Sequence, residues 1–227
     1  MITIAHVSDT HDKPSLVRQA CQAGVDVVLI TGDCMNNAGR NSRTGEGIIA
    51  HKERKYQQTW YRKQAKKWAA DAAAHGNPVF ITVRGNHDFI DYGRWLRHYG
   101  ATVYEITDTN PMVEVLGLKW SGFRQVPYIE GEWSGECRDF TETIEATLAC
   151  NPDVLITHAP PAGMLEFGNG PDDPRGIPSL TAALCYQPHN ITHHFFGHAH
   201  LDGDKVIEEM GITFYNGAGA CRIHTID

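Results

Sequence analysis

The chain has 227 residues, a formal net charge of -7, and 41 % hydrophobic and 21 % charged residues, the make-up of a globular protein able to bury its own core. The acidic balance argues against a general attraction to nucleic acid or anionic membrane, and no apolar run approaches the roughly 18 residues of a membrane span. Six cysteines form no CxxC pair and no zinc-ribbon spacing, and no basic leader precedes the first apolar run, so free thiols in a reducing cytoplasm are expected.

Ile2–Val7 reads as a buried strand ending in Ser8-Asp9-Thr10-His11-Asp12. Residues 14–24 carry helical spacing and stop at Gly24, and 25–30 is a second buried strand closed by Thr31-Gly32-Asp33. A strand, a helix and a strand at this spacing imply a parallel βαβ unit. Residues 34–49, rich in Gly, Asn, Ser and Arg, predict a long functional loop. A long helix follows over 51–75, with Tyr56, Trp60, Tyr61, Ala65, Trp68 and Ala72 facing the core and a lysine- and arginine-rich face in solvent. The apolar run 79–83 is a central strand that stops at Gly85 and delivers Asn86, His87 and Asp88.

Beyond it the sequence predicts a short helix over 92–99, a strand over 102–106 and a hairpin over 112–123 turning near Gly117. Residues 125–137 are irregular and aromatic, a candidate substrate wall. A helix over 140–150, with Asp139 or Thr141 as N-cap, leads to a buried strand over 154–157 that ends at His158. Residues 159–179 hold five prolines and four glycines and form a loop. A strand over 191–196 ends at Gly197-His198-Ala199-His200, and two strands, 205–210 and 212–216, close the chain. With no repeat and no linker, residues 1–227 form a single domain.

The residues behind the strands form a pattern: Asp9 and His11; Asp33; Asn86, His87 and Asp88; His158; His198 and His200. In open α/β sheets ligands bind beyond the carboxyl ends of the strands. Oxygen and imidazole donors without thiolate suit divalent metals such as Mn, Fe, Co, Ni or Zn, and the number of candidates suits two ions. If the chain is extended at the D-x-H and H-x-H pairs, side chains two apart point to one side and grip one ion. His6 alternates away from that face and is expected to pack. Of His193 and His194, one is expected to pack and the other to meet carboxylates behind the ligands. Cys34 is expected to fill the core. Asn37 and Arg40, with Arg43, are candidate substrate contacts from the long loop, and the loop His158–Ser179 with Tyr128 and Trp133 supplies candidate walls.

Asp9-x-His11, Gly32-Asp33, Gly85-Asn86-His87-Asp88, His158 and Gly197-His198-x-His200 together resemble the five motifs of the calcineurin-like metallophosphoesterases. Thr157-His158-Ala159-Pro160-Pro161 and Asn216-Gly217-Ala218 further resemble the branch that holds MPPED-type cyclic-nucleotide phosphodiesterases. The resemblance implies an α/β fold, the four-layer α/β/β/α sandwich. It implies that Asp9, His11 and His200 hold one divalent ion, that Asn86, His158 and His198 hold the other, and that Asp33 bridges them. Mn²⁺ is the favoured metal, with Fe, Zn, Co, Ni or Mg as alternatives. His87 would face the leaving group, and Asp88 would orient His87. Two dications less two carboxylates leave a local cation able to bind phosphate on an acidic protein. A water shared by both ions would be largely hydroxide near neutral pH and placed for in-line attack.

The expected function is therefore hydrolysis of a small phosphorylated substrate, a nucleotide first, with 2′,3′-cyclic nucleotides or similar phosphodiesters favoured. A phosphomonoesterase or nuclease would use the same ligands. A binding module without chemistry would show eroded ligands, and none is eroded here.

Overall fold

The computed structural model describes residues 1–38, 48–129 and 131–227. The first part of the chain supplies β1 (Ile2–Val7), α1 (Pro14–Cys21), β2 (Val27–Ile30), α2 (Ala50–Ala74), β3 (Val79–Thr82), α3 (Gly93–His98) and β4 (Val103–Glu105). The middle supplies β5 (Met112–Val115), β6 (Leu118–Phe123), β7 (Val126–Pro127), β8 (Glu136–Cys137), α4 (Thr141–Ala149) and β9 (Val154–Thr157). The remainder supplies α5 (Pro178–Tyr186), β10 (His193–Phe196), a 3₁₀ turn (His200–Asp202), β11 (Lys205–Glu209), β12 (Ile212–Asn216) and β13 (Cys221–Ile226).

One sheet has five strands in the order β13-β1-β2-β3-β4, and the other has six in the order β11-β12-β10-β9-β6-β5. The inner strands of both are parallel, while β13, β11 and β5 run antiparallel at the edges. A parallel sheet covered on both faces needs strands that are apolar on both sides. In the first sheet Ile4, Leu29 and Ile81 face inward, onto Trp120, Ile156 and Phe195 of the second. The alternate residues Ala5, Val28 and Phe80 face outward and are covered by Val17, Trp68 and Leu96 of the first three helices. On the far side Leu155, Phe196 and Phe214 are covered by Ile144 of α4 and Leu180 of α5. The result is the expected α/β/β/α stack.

Register places the site. Val7 pairs with Ile30 and Ile30 with Thr82, so β1, β2 and β3 end level with one another. In the second sheet Phe195 of β10 pairs with Ile156 of β9, so those strands also end side by side. Five loops thus open onto one edge of the sandwich.

Some boundaries move. Helix α1 ends at Cys21, and the turn that follows runs through Gly24, whose φ of +66° suits a residue without Cβ. The irregular segment contains a parallel pair, β7 with β8. Helix α4 is capped at Phe140, while Asp139 Oδ1 accepts the amide and hydroxyl of Thr141 at 2.9 and 2.7 Å. Helix α5 and strand β13 have no counterpart in the sequence reading. The β13 residues are mostly solvent-facing and show no apolar run, so only the pairing with β1 reveals the strand.

Helix α2 buries Tyr61, Ala65, Trp68 and Ala72 as expected, with Trp60 packed beside them, and departs from the expected face at a few positions. Tyr56 is exposed, and Glu53, Gln57 and Gln64 are buried. Among the described residues no helix is long and apolar enough to cross a membrane.

Candidate metal centre

The two aspartates at the centre of the site each divide their oxygens between two tasks. Asp9 Oδ2 accepts Ser8 Oγ at 2.6 Å and the His198 amide at 2.8 Å. Its Oδ1 faces His200 Nε2 at 3.2 Å, His11 Nε2 at 3.8 Å and His158 Nε2 at 4.0 Å. Asp33 Oδ1 accepts the His87 amide at 2.7 Å, and its Oδ2 faces His158 Nε2 at 3.2 Å and His87 Nε2 at 3.9 Å. One oxygen of each carboxylate ties two loops together, and the other is aimed at a ring of imidazoles. Both side chains are essentially buried.

The imidazoles are aimed as well. His158 Nδ1 lies 2.6 Å from the Thr31 carbonyl, which accepts its proton and leaves Nε2 turned toward Asp33 and, at 3.1 Å, Asn86 Oδ1. A backbone carbonyl behind a ring nitrogen sets the tautomer that coordinates through the other nitrogen. His11 Nε2 and His200 Nε2 approach to 3.2 Å. His198 Nε2 is buried without a hydrogen-bond partner among the described residues.

Three groups of donors are close enough to hold an ion: Asp9, His11 and His200; Asp33, His158 and His198; and His11, Asp33 and His87, with atoms within 4.8 Å of one another in each. Two of these match the two ligand sets implied by the sequence resemblance, with Asn86 beside the second. The donor set fits divalent cations: acceptor oxygens and ring nitrogens converge, and His198 Nε2 and His11 Nδ1 are buried without a hydrogen-bond partner among the described residues.

Backbone conformation carries this convergence. Asp9, His11, Asp33 and His198 have φ of 47°, 39°, 55° and 65°. The extended geometry expected for the D-x-H and H-x-H pairs is therefore corrected. The residues turn through the left-handed region, which Asp and His tolerate better than bulkier side chains and which clusters at functional sites. The turns also need glycine. A Cβ on Gly85 would run into Asp33 Oδ1, and one on Gly197 would strike Ser8 Oγ and Asp9 Oδ2.

Titration follows the same geometry. Burial pushes the Asp9 carboxyl up, yet His158, His200 and His11 hold it well below the usual carboxylate range. Burial opposes the charged form of His158 too, but Asp33 and Asp9 raise it to about 10. His198, facing His158 from a buried position, is pushed well below an ordinary histidine, first by burial. The cluster holds positive charge between its two carboxylates.

Asp88 does something other than the expected aiming of the His87 ring. Its Oδ2 accepts the amides of Asp33 at 2.8 Å and Gly85 at 2.9 Å, and its Oδ1 accepts Tyr61 Oη at 2.6 Å. It braces the turns after β2 and β3. Burial, then Asp33, raises its carboxyl to about 6. The inward face of α2 supplies further braces: Gln57 Nε2 donates to the His87 carbonyl at 2.6 Å and Gln57 Oε1 accepts the Phe89 amide at 2.8 Å. Above this the His87 ring lies between those of His11 and Trp133, at 4.7 and 4.6 Å.

The donors open onto a cavity of ≈ 270 Å³ whose outer walls are Asn36, Ile129, Trp133, Asn169 and Arg175. Of the candidate substrate contacts, Asn37 is buried with Nδ2 3.4 Å from the His87 carbonyl, and its neighbour Asn36 lines the cavity instead. Tyr128 lies outside the wall, its ring 3.6 Å from the Arg138 guanidinium carbon, and Ile129 takes its place. Arg40 and Arg43 lie outside the described residues. Arg175 and Asn169 lie in the loop 158–179 that was expected to form a wall, although neither was singled out from the sequence. Asp173 clamps the Arg175 guanidinium at 2.7 and 2.9 Å, and that loop is pinned to the turn after His200 through the Phe167 amide to Asp202 Oδ2 at 3.0 Å.

The histidines within β1 and β10 pack, while His51, His75 and His98 are exposed. His6 Nε2 meets Thr31 Oγ1 at 2.9 Å and its ring stands edge-on to Phe195. His194 Nε2 meets Thr157 Oγ1 at 2.8 Å and His193 Nδ1 meets Tyr215 Oη at 3.2 Å, so neither approaches the carboxylates as one was expected to. Cys34 is buried in the core as expected.

A sequence profile described as calcineurin-like phosphoesterase matches residues 2–202. No curated protein matches the chain. Among solved structures that do, TT1561 of Thermus thermophilus superposes with a TM-score of 0.59 at 11 % identity, over 96 % of this chain and 89 % of its own. At that identity the likeness is one of fold.

Proposed function

The chain belongs to the calcineurin-like phosphoesterase family, and on that premise we propose that it is a phosphodiesterase for small substrates, 2′,3′-cyclic nucleotides or aryl phosphodiesters, working with two divalent ions and Mn²⁺ first among them. The supporting observation is the convergence of two buried carboxylates, an amide oxygen and four imidazoles at the floor of a cavity.

Asp9, His11 and His200 would hold one ion, Asn86, His158 and His198 the other, and Asp33 would serve both. When bound, such ions polarise a phosphoryl oxygen and lower the pKa of water, which supplies the electrophile and the nucleophile of ester hydrolysis. The chain's own residues do the rest. Ser8 and the amides of His87 and His198 fix the two aspartates, so the anionic charge under the substrate does not reorganise during reaction. His87, steadied by Gln57 below and Trp133 beside it, presents Nε2 at the cavity to protonate the departing oxygen. Trp133, beside the His87 ring, and Ile129 make part of the cavity wall apolar, while Arg175 and Asn169 offer donors in another part. A diester, with one apolar planar substituent and one charged phosphoryl, suits that asymmetry better than a bare monoester.

The test is turnover by metal-stripped protein reloaded with Mn²⁺, offered a phosphodiester and the matching monoester. Preference for the diester, lost in Asp33→Asn and reduced in His87→Ala, is expected. Preference for the monoester refutes the diester reading, and no turnover with any divalent metal refutes the enzyme.

A further inference from the structure

Helix α2 carries seven basic side chains between Lys52 and Lys67, five lysines and two arginines, and all are exposed. Its two acidic residues are occupied elsewhere: Glu53 is buried and accepts the Ala38 amide at 3.0 Å, and Asp71 accepts Arg18 Nε at 2.7 Å. Among the described residues none of the seven takes part in an ion pair. Solvent-facing helices ordinarily set opposite charges at i and i+4; here Arg62 with Lys66 and Lys63 with Lys67 are like pairs, which oppose the helix. This row stands on a chain of net charge -7.

Tertiary structure extends the row. Arg62, Lys63, Lys66 and Lys67 line a groove whose opposite side is Tyr99, at the end of α3. Next to it the guanidinium carbons of Arg62 and Arg94 lie 5.7 and 4.9 Å from the ring centre of Trp95. Trp95 and Tyr99 are half-buried against the core, and the ring open to solvent is that of Tyr56, which shares a helix face with Thr59 and Lys63 of the groove on a helix about 37 Å long.

We propose that this face of α2 and α3 is a docking surface for single-stranded nucleic acid. Charge complementarity demands a polyanion, and three features select among polyanions. Protein–protein interfaces are depleted in lysine, whereas five of these seven cations are lysines. A membrane-seated helix needs a face of Leu, Phe or Trp, and on α2 the one large exposed apolar side chain is Tyr56. Lysines that neutralise phosphates beside aromatic side chains that accept bases are the working parts of sequence-tolerant single-strand binding.

The experiment is fluorescence anisotropy of a labelled 20-nucleotide single strand with the intact protein across a salt series, beside Lys63→Gln/Lys66→Gln/Lys67→Gln and the matching triple Lys→Arg variant. Glutamine keeps helix propensity and removes the like-charge pairs, so an unchanged melting temperature certifies the fold. Expected are binding by the parent chain that weakens with salt at about -0.7 in log–log slope per phosphate contacted, at least 10-fold loss in the glutamine triple, and retention in the arginine triple. Three outcomes overturn the proposal: no binding at 50 mM salt, equal binding by the glutamine triple, or displacement of the strand by polyglutamate or by phosphatidylserine vesicles at matched charge. The readout does not depend on catalysis, so it stands or falls apart from the phosphodiesterase reading.

Discussion

Replacing Tyr61 by Phe removes one oxygen from the interior and leaves the ring, its stacking on Tyr92 at 4.9 Å and the fit of α2 untouched. What goes is the donor to Asp88 Oδ1, a 2.6 Å bond between two fully buried groups. Asp88 Oδ2 keeps its two amides, but Oδ1 is stranded. A buried charged acceptor stripped of its donor costs about 1.5–3 kcal/mol, the charged end of the hydrogen-bond range. For a chain of this size that is a fall of about 3–12 °C in Tm. The effect carries a pH signature. Asp88 titrates at about 6, raised by burial and then by Asp33, so it is charged at pH 8 and mostly protonated at pH 5. The neutral carboxyl loses only about 0.5–1.5 kcal/mol, so the difference in Tm between parent and variant should shrink at the lower pH. Thermal unfolding of both proteins at the two pH values, in chelator to separate metal loss, reads this directly. Equal melting at pH 8, or a deficit as large at pH 5 as at pH 8, would refute the claim that Tyr61 stabilises a buried carboxylate.

Other outcomes follow from the same contacts. Gly197→Ala sets a methyl against Ser8 Oγ and Asp9 Oδ2, so metal affinity by titration calorimetry should fall at least 10-fold while the far-ultraviolet spectrum is kept. Burial lowers His6 and His194 to about 3 from an ordinary 6.5, so the unfolded chain binds their protons first; stability is full above pH 6.5 and declines toward pH 3, at about 2.7 kcal/mol per pH unit from the pair. Urea midpoints between pH 7 and 5 check this, and His194→Gln should flatten the slope by about half. Arg175→Ala removes a charge-assisted donor from the cavity wall; KM for a phosphodiester should rise about 10-fold with kcat within about 3-fold, and an unchanged KM would place Arg175 outside the substrate's reach.

Sequence alone determined the strands that are apolar on both faces, because burial on two sides leaves a short β-branched run closed by turn residues, too short for a buried helix, and each such run announced the polar residues at its end. Asp9, Asp33, Asn86, His158 and His198 were therefore legible as a group before any contact was known. Their mode of convergence was not. Spacing two residues apart suggested extended backbone, whereas Asp9, His11 and His198 meet through left-handed turns, which depend on loops packing against Gly32, Gly85 and Gly197. The bracing residues were equally hidden. A buried Gln57 or Glu53 has the one-dimensional signature of a surface residue, and only the loops it holds, 38 and 87–89, show why it is inside. Strand β13 and the cavity residue Arg175 belong to the same class: their roles come from a partner distant in the chain, β1 in one case and the histidine floor in the other. Local pattern records which side of an element is dry; it carries no record of which polar group will be waiting there.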